Sequence, residues 1–291
     1  MTDHRNAPGL ALTGATGKLG GRVARRLAEA GVAQRLLVRE PARAPQLPQA
    51  VPVQSFYAHT PAVEAALAGV QTLFMVSAAE SPTRLQEHRD FIDAAVAAGV
   101  KHLVYVSFFG AAPQATFAHA RDHFHTEQYL RAAEAAHGVQ WTFLRDNFYA
   151  DFLPELVGED GVLRGPAGTG RVAAVAQDDI ADAAAVILRE PAAHAGRTYD
   201  LTGPEALSLA EVAAIITEVT GRAVSYHDES VQEAYASRAG TGAPQWLQDA
   251  WVSTYTAIAA GEVAQTTGDI EHLTGHAPLT LAEVLRRAAQ H

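Results

Sequence analysis

The sequence predicts an α/β fold: a doubly wound parallel sheet with a smaller, mostly helical C-terminal lobe. Two observations lead there. Short apolar runs alternate with helical segments over the first 150 residues, as a sheet wound from β-α units requires. Beyond residue 150 that alternation loosens, and helical patterns dominate.

The elements follow in order. Leu10 to Thr13 is a strand, and glycines at 14, 17 and 20 lead into a helix over Val23 to Ala30. Arg35 to Val38 and Val51 to Phe56 are strands, with a short helix at Pro61 to Leu67. Thr72 to Val76 is continuously apolar apart from its first residue, which suits a strand buried on both faces. A helix over Leu85 to Ala98 ends at Gly99, and His102 to Val106 is the fifth strand. Phe117 to His137 is helical and closes at Gly138, before a sixth strand at Val139 to Leu144. Gly158 to Gly170 is glycine-rich and reads as turns. Asp178 to Arg189 is a helix with Asp178 or Asp179 as N-cap. Thr198 to Leu201 is a further strand. Ser208 and Glu211 form a capping box that opens a helix to Thr220, and Thr280 and Glu283 form another for the last helix, to Ala289. Helices are also predicted at Ser230 to Ala239 and Pro244 to Ala259. The predicted domains are 1–150 for the sheet and 151–291 for the lobe, with segments within 172–203 returning to the sheet.

Composition narrows the function classes. The 291 residues are 48% hydrophobic and contain no cysteine, so disulfides, thiol redox chemistry and thiolate metal sites are excluded. The formal net charge of −10 repels phosphate backbones and argues against nucleic acid as a partner. No apolar run reaches the ~18 residues of a membrane span, and Met1 to Pro8 lacks a signal-peptide pattern. A cytoplasmic location is the expectation.

The glycine loop is the strongest signal. In Thr13-Gly-Ala-Thr-Gly-Lys-Leu-Gly20, Gly14 permits a tight turn, Gly17 lets a pyrophosphate approach the backbone, and Gly20 lets helix and sheet pack closely. The helix N-terminus then offers N–H groups to the phosphates. Together these define a Rossmann-type dinucleotide site. The second strand ends in Arg39, where an NAD-preferring site usually has an acidic residue for the ribose. Arg39 suits a 2′-phosphate and hence NADP(H). With Glu40 adjacent, the alternative is a solvated Arg39, Glu40 on the ribose and NAD(H).

Further stretches resemble the NmrA-like atypical short-chain dehydrogenases, in particular their quinone-reductase and triphenylmethane-dye-reductase branch. Asp122-His123 with Thr126-Glu127 and Leu130 looks like that family's D-H-x-x-T-E-x-x-L helix. Trp141 to Tyr149 is similar to its T-x-L-R-x-x-x-Y strand and turn, and Leu273 to Pro278 with Thr280 to Glu283 to its closing helix. The resemblance implies NADP(H) bound by Gly14, Thr16, Gly17, Lys18 and Leu19 at the pyrophosphate and adenosine side, and by Arg39 at the 2′-phosphate. It implies Ser77 and Ser107 at the ribose and nicotinamide, and His123 and Asn147 at the nicotinamide or substrate, where they are the catalytic candidates. Two departures stand out. The segment Ser55 to Thr60 lacks the family's frequent Asp near the adenine, leaving Phe56 to stack. The helix after the fifth strand lacks the Tyr-x-x-x-Lys pair that supplies a proton in typical short-chain dehydrogenases.

The resulting expectation is an NADP(H)-dependent oxidoreductase passing hydride to a small, aromatic or quinone-like acceptor, which demands less acid catalysis than a simple carbonyl. The alternatives are a non-catalytic NADP(H)-binding redox sensor acting through a protein partner, and a sugar-nucleotide epimerase. A homodimer is left open. His119 and His123 stand four apart but have no third ligand at a recognised spacing, so no metal is expected. Trp246, Trp251 and Tyr255 read first as lobe core and second as an aromatic pocket. Arg22, Arg25 and Arg26 read as a solvated face.

Overall fold

The computed structural model describes residues 8–290; Met1 to Ala7, nearly all of the polar N-terminus read above, lie outside the described residues. The chain divides into two compact units that interleave in sequence. One takes the stretch up to residue 107, then 124–144 and 180–199; the other takes 108–123, 145–179 and everything from 200 onward. Of the C-terminal half, the segment 180–199 belongs to the first unit.

The first unit begins with β1 (Leu10–Thr13), α1 (Lys18–Glu29), β2 (Gln34–Val38), β3 (Ala50–Gln54), α2 (Pro61–Leu67), β4 (Thr72–Met75), α3 (Arg84–Ala97) and β5 (His102–Phe108). It continues through most of α4 (Ala118–His137), β6 (Gln140–Asp146), α5 (Gln177–Arg189) and the start of β9 (Arg197–Leu201), which follows the short strands β7 (Val162–Gly165) and β8 (Arg171–Val172). The sheet has seven strands in the order β3-β2-β1-β4-β5-β6-β9. β1 pairs in parallel with β2 on one side and β4 on the other, so the winding reverses at the carboxyl end of β1. That switch point is where open α/β sheets place their ligands. β1, β2, β4 and β5 are buried along their whole length, as their apolar runs predict. Leu67, Leu73, Phe91, Ile92, Tyr105 and Phe143 sit at the heart of one core cluster here.

Two readings of this unit change. The helix α1 starts at Lys18, five residues before its predicted start, because Gly17 is its N-cap and the loop passes directly into the first turn. Its arginine face is not wholly solvated: Arg26 is ion-paired to Asp182 and its side chain is largely covered.

The second unit contains β10 (Leu207–Ser208), α6 (Leu209–Thr220), β11 (Ser225–Asp228), α7 (Val231–Ala239), α8 (Gln245–Ala259), α9 (Asp269–Thr274) and α10 (Leu281–Ala288). The capping boxes at Ser208 with Glu211 and Thr280 with Glu283 are formed, and Ser230 with Glu233 adds a third. Gly158 to Gly170 is more than turns: its middle forms β7, which pairs in parallel with β11. Neither strand has an apolar run to announce it; Ser-Tyr-His-Asp of β11 is held by pairing made across sequence. Asp178 and Asp179 lie in the first turn of α5 instead of capping it. Asp151 takes the Gln177 N–H at 2.8 Å. Tyr255 is core, as its helical position suggests: a Cβ on Gly165 would strike its ring at 2.1 Å, and Arg238 lies over that ring at 5.1 Å.

Candidate functional site

The glycine loop does what its spacing requires. Gly14 has φ +69°, a left-handed conformation that favours glycine, and a Cβ there would lie 3.1 Å from Val76. A Cβ on Gly20 would sit 2.4 Å from the Gly14 carbonyl oxygen, so close packing of α1 on the loop needs a hydrogen at that position. Gly17 differs. It is exposed, and a Cβ there would approach only the Gly14 carbonyl, at 3.3 Å; its other side is open. As N-cap of α1 it offers no side-chain acceptor, and the first turn has no acidic residue. The first-turn N–H groups, those of Leu19 and Gly20 among them, have no intrahelical acceptor, so the positive end of the helix faces outward uncompensated by a cap. Thr16 and Lys18 flank it at the surface, while the Leu19 side chain is buried and could contribute only its backbone. This cradle fits a pyrophosphate.

At the end of β2, the Arg39 side chain is exposed and makes no ion pair among the described residues, while Gln54 holds its backbone carbonyl at 3.0 Å. Glu40 instead faces Arg43 at 3.7 Å, with both side chains largely exposed. The free cation is thus the residue expected to meet a 2′-phosphate. Phe56, proposed to stack on adenine, is exposed.

The exit of β4 carries Ser77, which is half-buried. The preceding residue is tied on both backbone groups: the Val76 N–H donates to Thr13 Oγ1 at 2.9 Å, and the Tyr57 hydroxyl donates to the Val76 carbonyl. Burial pushes the Tyr57 phenol above its ordinary range, so it stays protonated to make that bond. Ser107, at the end of β5, is 2% exposed, and its hydroxyl donates to Glu127 at 2.6 Å. It supports the strand end from beneath. Sequence reasoning passed over Glu127 as a partner for Ser107, although Thr126-Glu127 stood in the quoted helix motif.

The two catalytic candidates belong to the second unit. His123 is 5% exposed, and its ring lies 6.2 Å from Phe108, itself in contact with Phe117 and Phe148. Asn147 is 1% exposed, with its amide committed to the backbone. It donates to Val263 O at 2.9 Å and accepts from Phe148 N at 2.8 Å. It braces the turn after β6. Its neighbour Asp146 is fully buried, with Oδ1 unpartnered. Burial drives its carboxyl well above the usual carboxylate range, only partly opposed by Tyr149 at 3.4 Å. His119, the other histidine of the four-apart pair, lies 3.4 Å from Asp122.

The strand order, the reversal at β1 and the glycine turn define a dinucleotide-binding protein of Rossmann type. Residues 9–242 match the NmrA-like family, and the chain belongs to that family. It is 34% identical to quinone oxidoreductase 2 of Escherichia coli, over 94% of this chain and 96% of that one. The structure of an NADPH-dependent quinone oxidoreductase from Escherichia coli in complex with NADPH superposes with a TM-score of 0.85 at 32% identity, covering 96% of this chain and 99% of the other. The triphenylmethane reductase of Citrobacter sp. complexed with NADP(H) gives 0.83 at 30% identity, with 96% and 99% covered. Among the described residues no helix is long and apolar enough to cross a membrane.

Proposed function

We propose that this chain is an NADP(H)-dependent oxidoreductase that delivers hydride to a small quinone-like or aromatic acceptor. The observation behind it is the uncapped N-terminus of α1 together with the unpaired Arg39, set in a chain that matches a quinone oxidoreductase along nearly its whole length. Gly14, Thr16, Gly17, Lys18 and Leu19 hold the pyrophosphate, Arg39 the 2′-phosphate, and the β4 exit with Ser77 the following ribose. Ser107 acts through its strand. When bound, the nicotinamide supplies hydride. The protein's share is to position the acceptor and exclude water, which suffices for an electrophilic ring whose reduced form spreads its charge. In this reading His123 manages the accompanying proton, and Asn147 fixes the turn after β6. The domain assignment follows: the first unit binds the cofactor and the second selects the acceptor.

The test is NADPH oxidation against a panel of quinones and triphenylmethane dyes, with NADPH affinity measured in parallel. Binding with turnover supports the reading. Binding without turnover on any acceptor replaces it with a redox sensor, and absence of binding removes both.

A further inference from the structure

One residue in the first unit is held through both of its backbone groups by a single helix. Arg84 and His88 stand four residues apart on α3, and so on one face of it. Arg84 Nε donates to the Ala78 carbonyl at 3.0 Å, and the Ala78 N–H donates to His88 Nε2 at 2.9 Å. A backbone N–H can only donate, so Nε2 accepts and the ring proton sits on Nδ1. From there it is given to Thr126 Oγ1, 2.9 Å away. Arg84, His88 and Thr126 are all buried. With Val76 held by Thr13 and Tyr57, the three-residue exit of β4 is fastened at both ends, with the half-buried Ser77 between them.

We propose that Arg84 and His88 are positioning residues for the dinucleotide, fixing Ala78 through its N–H and its carbonyl so that the exit of β4 is preformed for the half of the cofactor beyond the pyrophosphate. The direction comes from the sheet: Arg39 follows β2 on one side of β1, and β4 lies on the other. A ligand with its 2′-phosphate at Arg39 and its pyrophosphate at α1 runs on toward β4. A buried guanidinium and imidazole are costly to keep away from water without hydrogen bonds. Here Arg84 Nε and His88 Nε2 both hold the backbone of one loop residue, three residues beyond the strand, where β-ladder pairing no longer holds the chain. The inference rests on the dinucleotide site of the proposed function.

The experiment measures NADPH and 2′,5′-ADP affinity for the wild type, Gly17→Asp, His88→Leu and His88→Gln. 2′,5′-ADP contains the adenosine half alone. The expected result is ~10-fold weaker NADPH binding for His88→Leu, about what loss of a buried hydrogen bond produces, with 2′,5′-ADP affinity unchanged. His88→Gln, whose side-chain carbonyl can accept the Ala78 N–H, restores most of the loss. Parallel weakening of both ligands, or equal behaviour of Leu and Gln, would mean an ordinary core residue and overturn the proposal. If His88→Leu does not fold, Arg84→Met is read in the same way: selective loss of NADPH supports the pair, unchanged NADPH affinity defeats it. Wild-type protein that binds no NADPH, or Gly17→Asp that binds it normally, sinks the dinucleotide site itself. NADPH binding that Gly17→Asp abolishes and His88 variants leave intact sinks only the positioning pair.

Discussion

Helix α1 and helices α6, α7 and α10 start in opposite ways. The three later helices close their first turns with Ser or Thr caps and reciprocal Glu residues, so their N–H groups are used internally. Backbone hydrogen bonds from the cap residues hold Glu211 down to about 2 and push Glu233 below the usual carboxylate range, and the Thr280 hydroxyl, then its N–H, does the same to Glu283, which keeps the boxes ionised. α1 begins on a bare glycine. A glycine at the N-cap gives up about a few tenths of a kcal/mol relative to Ser, Thr or Asp. Helices α3, α8 and α9 also start without a side-chain cap; α1 differs in following the glycine turn at the exit of β1, where the proposed function places the dinucleotide.

Closing α1 is the strongest way to break this contrast. Gly17→Asp gives it a cap and a negative charge where phosphate should lie. NADPH affinity is expected to fall by ~100-fold or more while Tm stays level or rises, by calorimetric titration and thermal unfolding. A joint fall of affinity and Tm would show that Gly17 serves the fold. Next in size, Arg39→Ala should cost NADPH roughly 10- to 100-fold, the worth of a charge-assisted contact, and leave NADH nearly unchanged. Equal losses for both would move the 2′-phosphate elsewhere. In the capped region the effect reverses: Ser208→Ala should lower stability by ~1 kcal/mol in urea unfolding, with NADPH affinity untouched.

The smallest effect is one of pH. Burial, and then the charge of His194, push His102 down to about 4. Its ring sits 2.8 Å from Thr142 Oγ1, whose hydroxyl donates to the His194 carbonyl, so His102 is held as a neutral donor. The unfolded chain takes up this proton near 6.5 and the folded chain only near 4. Stability should therefore decline as pH falls between those values, and His102→Asn should flatten that decline. An unaltered profile would place the acid sensitivity on another group.

Much of this was legible in residue order. Continuous apolar runs at Leu10, Leu36, Leu73 and Leu103 gave strands because both faces of the sheet are covered, and Gly14 and Gly20 gave the turn because a left-handed φ at the one and close packing at the other tolerate little else. Ser208 with Glu211 was visible because a capping box is local. What stayed hidden is non-local. β7 and β11 are only four residues each, β11 is polar, and the two pair with each other in parallel. Arg26 reads as solvated until Asp182, 156 positions away, reaches it. Ser107 turns inward because Glu127 is buried beneath it, and Asp151 rather than Asp178 meets the start of α5. No window of sequence contains those pairs.

The interleaving of the two units bears on how the protein is made. The edge strand β9, whose neighbour in the sheet is β6, leaves the ribosome only after two long excursions of the chain through the second unit. Until then the nascent polypeptide holds β6 with one edge unsatisfied, an invitation to pair with another chain. Synthesis past residue 201 thus sets the earliest moment at which the sheet can finish, and a ribosome stalled before that point would release an aggregation-prone fragment, not a working half.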